Sequence, residues 1–314
     1  MFRYVLKRLG YMIATLLIVI SITFFLVRLL PGSPFDEAKL TTLQVENLNE
    51  QYGLNDPVPV QYVRYMANVF QGKLGTSFKW DNKTVESIIG QRIFPSAIIG
   101  LQSIAIGTVI GLCLGILAAL KKNTFWDYTT TIISVIGVSV PSFVFAALLQ
   151  LYIALKTGWF PIAWGMPIGS DFKYIWTILP SISLSFVAIA NVARFTRTEL
   201  VEVMSSDYIV TAKSKGLSNF TVVLKHGIRN GLIPVITVIG PLVVSLLTGS
   251  LVVEKVFGVP GLGDLLVTAI TTNDLFVISG VAIFYSAFYI LTIFTVDILY
   301  GVIDPRIRLA GGNE

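Results

Sequence analysis

Charged residues, cysteine and histidine are all scarce in this sequence of 314 residues. Charged side chains make up 13% of the chain and hydrophobic ones 54%, whereas soluble domains carry roughly 25% charged residues. The single cysteine, Cys113, excludes an internal disulfide framework and a site built from several thiolates. The single histidine, His226, excludes a His-Glu-x-x-His zinc motif. Such a composition is typical of a protein embedded in a membrane.

Nucleotide-binding and catalytic motifs are missing as well. The sequence contains no Gly-x-x-x-x-Gly-Lys-Ser/Thr phosphate-binding loop, and its apolar segments hold no convincing polar pair for intramembrane proteolysis. We therefore predict no catalytic residue, no metal site and no cofactor bound by this chain, so that any ATP-driven work must be powered by another polypeptide. The net charge of +5 is better explained by membrane orientation than by binding to nucleic acid.

Apolar segments of about 20 residues are long enough to cross a bilayer as helices. The sequence contains six of them, at residues 11–30, 96–120, 130–155, 177–193, 233–253 and 275–303. The first follows Arg3, Lys7 and Arg8, as a signal peptide does, but ends in Leu-Pro-Gly without a small-residue cleavage site. We therefore expect an uncleaved anchor.

Lys and Arg are concentrated in the loops on one side of these segments. If the N-terminus is inside, the inside loops carry Arg3, Lys7, Arg8, Lys121, Lys122, Arg194, Arg197, Lys213, Lys215, Lys225, Arg229, Arg306 and Arg308. The two short outside loops carry only Lys156, Lys173 and Lys255. Because basic residues favour the cytoplasmic side, this bias predicts that both termini and the Lys213 loop are cytoplasmic.

The predicted spans divide the chain into four parts. Residues 1–30 form an N-terminal anchor span, 31–95 a long first external loop, 96–303 a transmembrane domain with a cytoplasmic loop at 194–232, and 304–314 a cytoplasmic tail. Within the external loop, the spacing of Tyr62, Met66 and Val69 indicates an amphipathic helix. This helix either lies on the membrane surface or rim, or serves as a platform for an external partner; the two interpretations are compatible.

The cytoplasmic loop has the pattern of a short, sharply ended helix. Ser206 or Asp207 is suited to the N-cap, Lys213 and Lys215 to the last turn, and Gly216 to the C′ position, where a positive φ is required. A second helix is expected to start after Ser218-Asn219. A helix that ends so sharply between two spans is suited to form a rigid protrusion that another protein binds.

Polar residues within the predicted spans have two interpretations, because unsatisfied polar groups are costly in hydrocarbon. They either form hydrogen bonds between packed helices or line a water-filled pathway. The candidates for lining a pathway are Gln102, Gln150, Ser139, Ser142, Asn191 and Ser245.

Prolines and glycines predict bends and close contacts. Pro141 is expected to kink the third span, and Gly240-Pro241 to interrupt the fifth, because proline lacks an N–H. Gly107, Gly111 and Gly115 form a stripe on one face of the second span. The stripe allows close packing either within the bundle or at a subunit interface.

Seven short motifs, in order along nearly the whole chain, resemble those of the peptide permease family. They lie at residues 30–34 (Leu-Pro-Gly-Ser-Pro), 52–57 with 61–62, 72–78, 212–217, 229–234, 253–263 and 304–308. The chain looks like a B-type membrane subunit of an oligopeptide or dipeptide ABC importer, within the peptide/nickel branch. Val210 stands where the wider ABC-importer loop pattern has Glu, which fits this branch.

The resemblance implies an all-α integral membrane fold of the type I ABC importer permease class, with six transmembrane helices and a coupling helix between spans 4 and 5. It also implies a prokaryotic cell membrane location, a second related permease subunit, two ATP-binding subunits that use ATP and Mg, and an external binding protein that delivers oligopeptides. The residues it assigns to ATPase coupling are Asp207, Tyr208, Thr211, Ala212, Lys213, Lys215, Gly216 and Leu217.

Other functions stay open at this point. A nickel or other small-solute importer of the same architecture is the nearest alternative. A stand-alone channel or an ion-coupled carrier is a more distant one, since it predicts activity without ATP or partner chains. A purely structural membrane scaffold fits the kinked spans and the capped loop least well.

Overall fold

The computed structural model describes residues 2–29, 41–51, 53–77, 79–80, 83–165, 174–247 and 251–303. Several predicted features lie partly or wholly outside these residues: the motif at 30–34, part of the external loop at 31–95, Tyr52, Phe78, Lys173, part of the span at 233–253 and the tail at 304–314. The described chain is helical throughout, apart from loops and an isolated antiparallel bridge between Thr76 and Thr84. The predicted all-α fold is confirmed.

The helices follow one another closely along the chain. The first four are α1 (Phe2–Arg28), α2 (Thr42–Gln51), α3 (Val58–Phe70) and α4 (Val85–Leu120). The middle group comprises α5 (Phe125–Ser139), α6 (Ser142–Leu149), α7 (Ile175–Met204) and α8 (Asp207–Ser214). The last group comprises α9 (Asn219–Thr221), α10 (Arg229–Leu247), α11 (Leu251–Phe257), α12 (Leu262–Thr271) and α13 (Leu275–Ile303). Two π-helical segments continue this order, Gln150–Leu155 after α6 and Val222–Ile228 between α9 and α10.

Candidate membrane spans number four to six among the described residues. α1, α4, α7 and α13 are each long and apolar enough to cross a bilayer, and the pairs at 125–155 and 219–247 each qualify as one bent span. The sixth predicted span has the same bounds as α13. The other predicted bounds need correction at one or both ends.

The helix that contains the second predicted span begins before residue 96. α4 begins at Val85 and runs through Pro95 without a break. The prediction treated this proline as a boundary, but the apolar residues Val85, Ile88 and Ile89 continue the helical pattern on its N-terminal side and are buried. Packing of this face stabilises the additional turns, so a proline inside the helix is tolerated.

The third span is broken, as its proline predicts. α5 ends at Ser139, and α6 starts after Pro141 with the chain turned by 100°. Pro141 has no N–H to donate and occupies the N-cap of α6, where none is needed. The predicted kink is confirmed, but it separates two helices and does not bend one.

The fourth and fifth spans differ from prediction because helices extend into the loop that joins them. α7 continues to Met204, past the predicted end at residue 193. The second loop helix begins at Asn219, which confirms its predicted start, and it continues without a gap through the predicted start of the span at residue 233. It bends by 47° between Ile236 and Ile239. This bend lies in the turn before Pro241, because the proline ring clashes with the carbonyl of that turn. The described residues that follow, Leu251–Phe257, form a separate helix, α11.

Two compact units divide the chain. Unit 1 comprises Pro95–Val259 and Thr292–Glu314, and unit 2 comprises Phe2–Phe94 and Pro260–Leu291. In unit 2, the buried face of α4 packs with α12 and α13 through residues that include Leu265, Ala269, Val277 and Val281. The buried carboxylate of Asp274 fixes the loop before α4, since it accepts hydrogen bonds from the Ser77 hydroxyl and the Lys79 backbone N–H.

The glycine stripe of α4 makes the closest helix contact in unit 1. A Cβ atom added at Gly107 would overlap the Ala188 side chain, at Gly111 it would lie 2.7 Å from Val192 Cβ, and at Gly115 2.6 Å from Thr196 Cβ. All three partners are on α7. Of the two interpretations of the stripe, packing within the bundle is therefore the one that the structure supports.

Polar pairs also join the helices of unit 1. Arg197 of α7 donates two hydrogen bonds to Asp127 of α5, at 2.6 and 2.9 Å. Ser96 of α4 donates to the buried Glu254 of α11 at 2.7 Å. Because each carboxylate is buried and bonded, these contacts fix the positions of α5 and α11 within the unit.

We predict that Gly107→Val destabilises the protein, whereas Gly90→Val on the same helix does not. A Cβ at Gly107 has no room against Ala188, and one at Gly90 meets nothing within 4 Å. Overpacking of this kind costs typically about 1–3 kcal/mol. Thermal unfolding of the detergent-solubilised protein measures the difference. Equal unfolding temperatures for the two variants would show that the α4–α7 contact is looser than described.

Candidate functional site

The N-terminus of α8 follows α7 after a two-residue turn. Of the two residues predicted as the N-cap, Ser206 occupies this position, with extended backbone angles. Asp207 lies in the first turn of the helix. The Ser206 hydroxyl donates to the carbonyl of Val203 at 2.6 Å and does not cap the α8 N–H groups. Asp207 therefore provides the negative charge that favours this helix end.

The C-terminus of α8 has the predicted glycine cap. Gly216 adopts φ +80°, a conformation that glycine reaches without strain. Its N–H donates to the carbonyl of Lys213 at 2.9 Å, and the N–H of Leu217 donates to that of Ala212 at 3.4 Å. These two bonds define a Schellman motif, which ends the helix sharply and turns the chain towards α9.

One face of α8 is packed against the helix that follows it. Ile209 is fully buried, and Ala212 is nearly so; both contact the buried Val222 in the π-helical segment, with Met204 at the edge of the cluster. The spacing of three residues between Ile209 and Ala212 puts both side chains on one side of the helix. α8 is thus attached through a small apolar cluster as well as through its two ends.

The helix under α8 is itself closely packed on α7. Ser218 caps its N-terminus by accepting a hydrogen bond from the Thr221 N–H at 3.3 Å. Gly227 and Gly231 face α7, where a Cβ at Gly227 would lie 2.9 Å from Met204 Sδ and one at Gly231 3.5 Å from Leu200 Cα. The absence of side chains at these two positions lets the backbones approach.

The opposite face of α8 is exposed and mixed in character. Of the eight residues that the sequence assigned to coupling, only Ala212 is buried. Tyr208 and Leu217 are large apolar residues on the surface, as is Val210, and Lys213 and Lys215 are exposed beside them. The result is an apolar surface with positive charge at one end.

Two exposed apolar residues of the next helix extend this surface and were missed by the sequence analysis. Phe220 is 75% exposed and Leu224 51%. They lie four residues apart, on one face of the helix, and the basic Lys225 and Arg229, also four residues apart, are exposed on the neighbouring face. This i, i+4 spacing was the available signal. We refer to the exposed residues of α8 together with Phe220 and Leu224 as the α8 surface.

Three of the six pathway candidates carry side-chain amides that form hydrogen bonds within unit 1. Gln102 accepts from the Ser181 hydroxyl at 2.8 Å. Gln150 donates to the carbonyls of Ile162 and Val256, both at 2.9 Å, and Asn191 donates to its own helix. Hydrogen bonds of this kind fit the first interpretation of these polar residues, in which they join packed segments.

The three serines have a different setting. Ser139 and Ser142 flank the break at Pro141, and Ser139 lines a 160 Å³ cavity between α5 and α7. Ser134 and Arg194 line the same cavity. Ser245 is exposed on α10. The structure therefore places the six candidates in separate locations and does not bring them together in one site.

Two family models match the sequence. The model described as the binding-protein-dependent transport system inner membrane component matches residues 111–309. The model described as the N-terminal part of the same transport system membrane component matches residues 1–97. Together the matched ranges include the α8 surface and most of both units.

Curated relatives are similar over almost the whole chain. The dipeptide transport system permease protein DppB of Lactococcus lactis subsp. cremoris is 43% identical over 310 residues, covering 98% of this chain and 100% of the relative. DppB of Bacillus subtilis is 42% identical, covering 98% and 99%. The oligopeptide transport system permease protein OppB of Salmonella typhimurium is 39% identical, covering 98% and 100%.

A solved structure shares the fold at low sequence identity. A chain of the inward-facing MetNI methionine ABC transporter superposes with a TM-score of 0.59 at 17% identity, covering 70% of this chain and 97% of the other. The similarity supports the helical arrangement, independently of the sequence matches.

We predict that Ile209→Ala loosens α8, whereas Val210→Ala leaves it in place. Ile209 is fully buried against Val222 and its neighbour Val210 is 58% exposed, and truncation of a buried isoleucine costs roughly 2–5 kcal/mol. Limited trypsin digestion, with fragments ending at Lys213 and Lys215 quantified by mass spectrometry, provides a local readout. Faster cleavage is expected only for Ile209→Ala. Identical cleavage of both variants would mean that the apolar cluster does not hold α8.

Proposed function

Since the chain belongs to the family of binding-protein-dependent transport system inner membrane components, we propose that it forms half of the translocation pathway of a peptide importer. It is a multi-pass membrane permease subunit of an ABC importer, a class that works with ATP-binding and substrate-binding partners. Short peptides are the proposed substrate, because the full-length relatives are named dipeptide and oligopeptide permeases.

The proposed assembly contains this chain, a second related permease subunit, two ATP-binding subunits and an external peptide-binding protein. The chain carries no phosphate-binding loop, so ATP and Mg would bind to the ATP-binding subunits. The role of this chain in the assembly is to bind partners and guide substrate, without catalysis.

The two-faced construction of α8 is the observation that carries the proposal. Its inner face is fixed by Ile209 and Ala212, while Tyr208, Val210 and Leu217 remain on the surface next to Lys213 and Lys215. Exposed apolar residues in a cluster are typical of a protein interaction site, and the adjacent lysines suit an acidic groove. We propose that the α8 surface docks into an ATP-binding subunit.

Movement of α8 has a direct route into the membrane part of the chain. Val222, which holds α8, is on the helical stretch that continues through α10, and Gly227 and Gly231 of this stretch pack on α7. In the proposed mechanism, closure of the ATP-binding subunits displaces α8, and α7 and α10 tilt with it. The pathway thereby switches from inward-facing to outward-facing.

The proposed orientation puts both termini and α8 in the cytoplasm of a prokaryotic cell. Its support is the excess of Lys and Arg in the loops on that side. ATP is available on the same side, as docking of α8 to an ATP-binding subunit requires.

Ser139, Ser142 and Ser245 are the proposed pathway residues with the best structural support. Ser139 and Ser245 are exposed, and Ser142 is half-buried beside the break at Pro141. Gln102, Gln150 and Asn191 are half-buried, and their amide groups are held by hydrogen bonds in unit 1, so we assign them a supporting position along the route.

We predict that Gly216→Val uncouples transport while the protein still inserts into the membrane. Gly216 has φ +80° with no atom near the position of an added Cβ, so valine causes backbone strain of about 1–2 kcal/mol without a steric clash. The strain falls on the turn that sets the direction of Leu217. Peptide uptake into cells, normalised to the amount of protein in the membrane, is expected to fall several-fold.

Gly72→Val is the matched control for this variant. Gly72 has φ +74° and also lacks neighbours within 4 Å, but lies in the loop after α3. The Gly72→Val variant introduces the same strain away from α8, so we expect it to transport normally. We expect Gly216→Asn to retain most of the uptake activity, because asparagine tolerates positive φ. Normal uptake by Gly216→Val would refute the coupling role of α8.

Gentle extraction of the tagged protein from native membranes tests the assembly. Co-purification of a second multi-span chain and two ATP-binding subunits is the expected result, with ATP hydrolysis stimulated by a peptide-loaded binding protein. A protein that is recovered alone and still moves solute without ATP would instead establish a stand-alone channel or carrier.

A further inference from the structure

The end of α1 lies at the boundary of the membrane. The apolar span runs from Val5 to Arg28, 24 residues, which is about 36 Å of helix at 1.5 Å per residue. A hydrocarbon core is about 30 Å thick. Whichever way the chain is oriented, Arg28 therefore lies at the level of the lipid headgroups.

α3 is packed against this end of α1 through aromatic rings. Phe24 makes edge and tilted contacts with Tyr62 and Tyr65, with ring centroids 5.3 and 5.1 Å apart, and Phe25 stacks on Tyr62 at 5.6 Å. The Tyr62 and Ser21 hydroxyls form a hydrogen bond of 2.6 Å. These contacts hold α3 at the same membrane depth as Arg28.

The Arg28 side chain is fixed in place by uncharged partners. Its guanidinium lies 4.4 Å from the centre of the Phe24 ring and donates a hydrogen bond to Gln61. Gln61 is buried and itself donates to the carbonyls of Leu54 and Asp56. Within the described part of the chain no carboxylate forms an ion pair with Arg28, so among those residues its guanidinium is held by uncharged partners alone.

A 290 Å³ groove opens beside this guanidinium within unit 2. Its polar lining includes Arg28, Arg64 and Asn68 beside Gln61, Tyr65 and Thr76, while Phe24, Leu54 and Phe276 provide apolar walls. Arg64 is paired with Asp56 at 2.8 Å, and both side chains are exposed, so this pair reduces the positive charge of the groove only in part. The groove thus combines a fixed cation, a second arginine and an amide with apolar sides.

We propose that this groove binds the phosphate of an anionic phospholipid headgroup. A guanidinium fork matches phosphate oxygens in geometry and charge, and a lipid phosphate occurs at the depth where Arg28 lies. The apolar walls contact the glycerol and the first methylene groups. Inorganic phosphate has the same chemistry but lacks this apolar part, and therefore binds more weakly. A bound lipid would fix α1 and α3 to each other and to the bilayer surface.

The test counts lipids on the full-length protein. The detergent-solubilised chain is titrated with phosphatidylglycerol, and retained lipid is measured by native mass spectrometry for the wild type, Arg28→Gln and Asn68→Asp. We expect each variant to lose one tightly bound lipid, with an affinity at that site lower by about tenfold or more, the usual effect of removing a charge-assisted hydrogen bond. Asn68→Asp leaves the Arg28–Gln61 bond in place, so the two variants do not share a folding defect.

Lys156→Gln is the matched control. Lys156 lies 4.4 Å from the Tyr152 ring centre, like Arg28 on Phe24, but belongs to unit 1. It is expected to retain the lipid. The proposal is overturned if both groove variants bind phosphatidylglycerol like the wild type, or if Lys156→Gln loses lipid equally. It is also overturned if millimolar inorganic phosphate displaces the lipid completely, since the groove would then be a site for free phosphate.

Discussion

Close packing onto α7 is the constraint on which the rest of unit 1 depends. In a bilayer, helices gain little from leaving lipid, so their association relies on close contact and hydrogen bonds. The glycine face of α4 packs on α7 at Ala188, Val192 and Thr196. Arg197 of α7 binds the Asp127 carboxylate of α5. Gly227 and Gly231 pack on the C-terminal end of α7. Each contact uses either a missing side chain or a bonded charge. α7 is accordingly the most buried of the four candidate spans that consist of a single described helix.

The same principle links the surface of the protein to its membrane part. α8 has only eight residues, too few for a stable isolated helix, and it exists because both ends are fixed and Ile209 and Ala212 are packed. In the proposed coupling, such a helix would transmit displacement as a rigid piece, because its own conformation is already determined. Bending is confined to other places: the break at Pro141 and the turn before Pro241, where missing N–H groups remove helical hydrogen bonds.

Features set by neighbouring residues could be predicted from the sequence, and those set by distant residues could not. Gly216 at positive φ, Ser206 at the N-cap and the break at Pro141 follow from local chemistry. The start of α4 was mistaken because burial of Val85 and Ile88 against α12 and α13 outweighs the proline signal. Gln150 was assigned to the pathway because its bond to the Val256 carbonyl spans 106 positions of sequence. Phe220 was missed because a single exposed aromatic carries meaning only once α8 is placed beside it.

The contact between α4 and α7 has a consequence for biogenesis. Gly107 and its partner Ala188 are separated by about eighty residues, which take roughly 4–16 seconds to synthesise at 5–20 residues per second. During that interval the glycine face of α4 has no partner helix from its own chain and must be covered by lipid or by the insertion machinery. The nascent subunit therefore passes through a stage in which this closely packed interface is open, and quality-control factors that survey the membrane can engage it then.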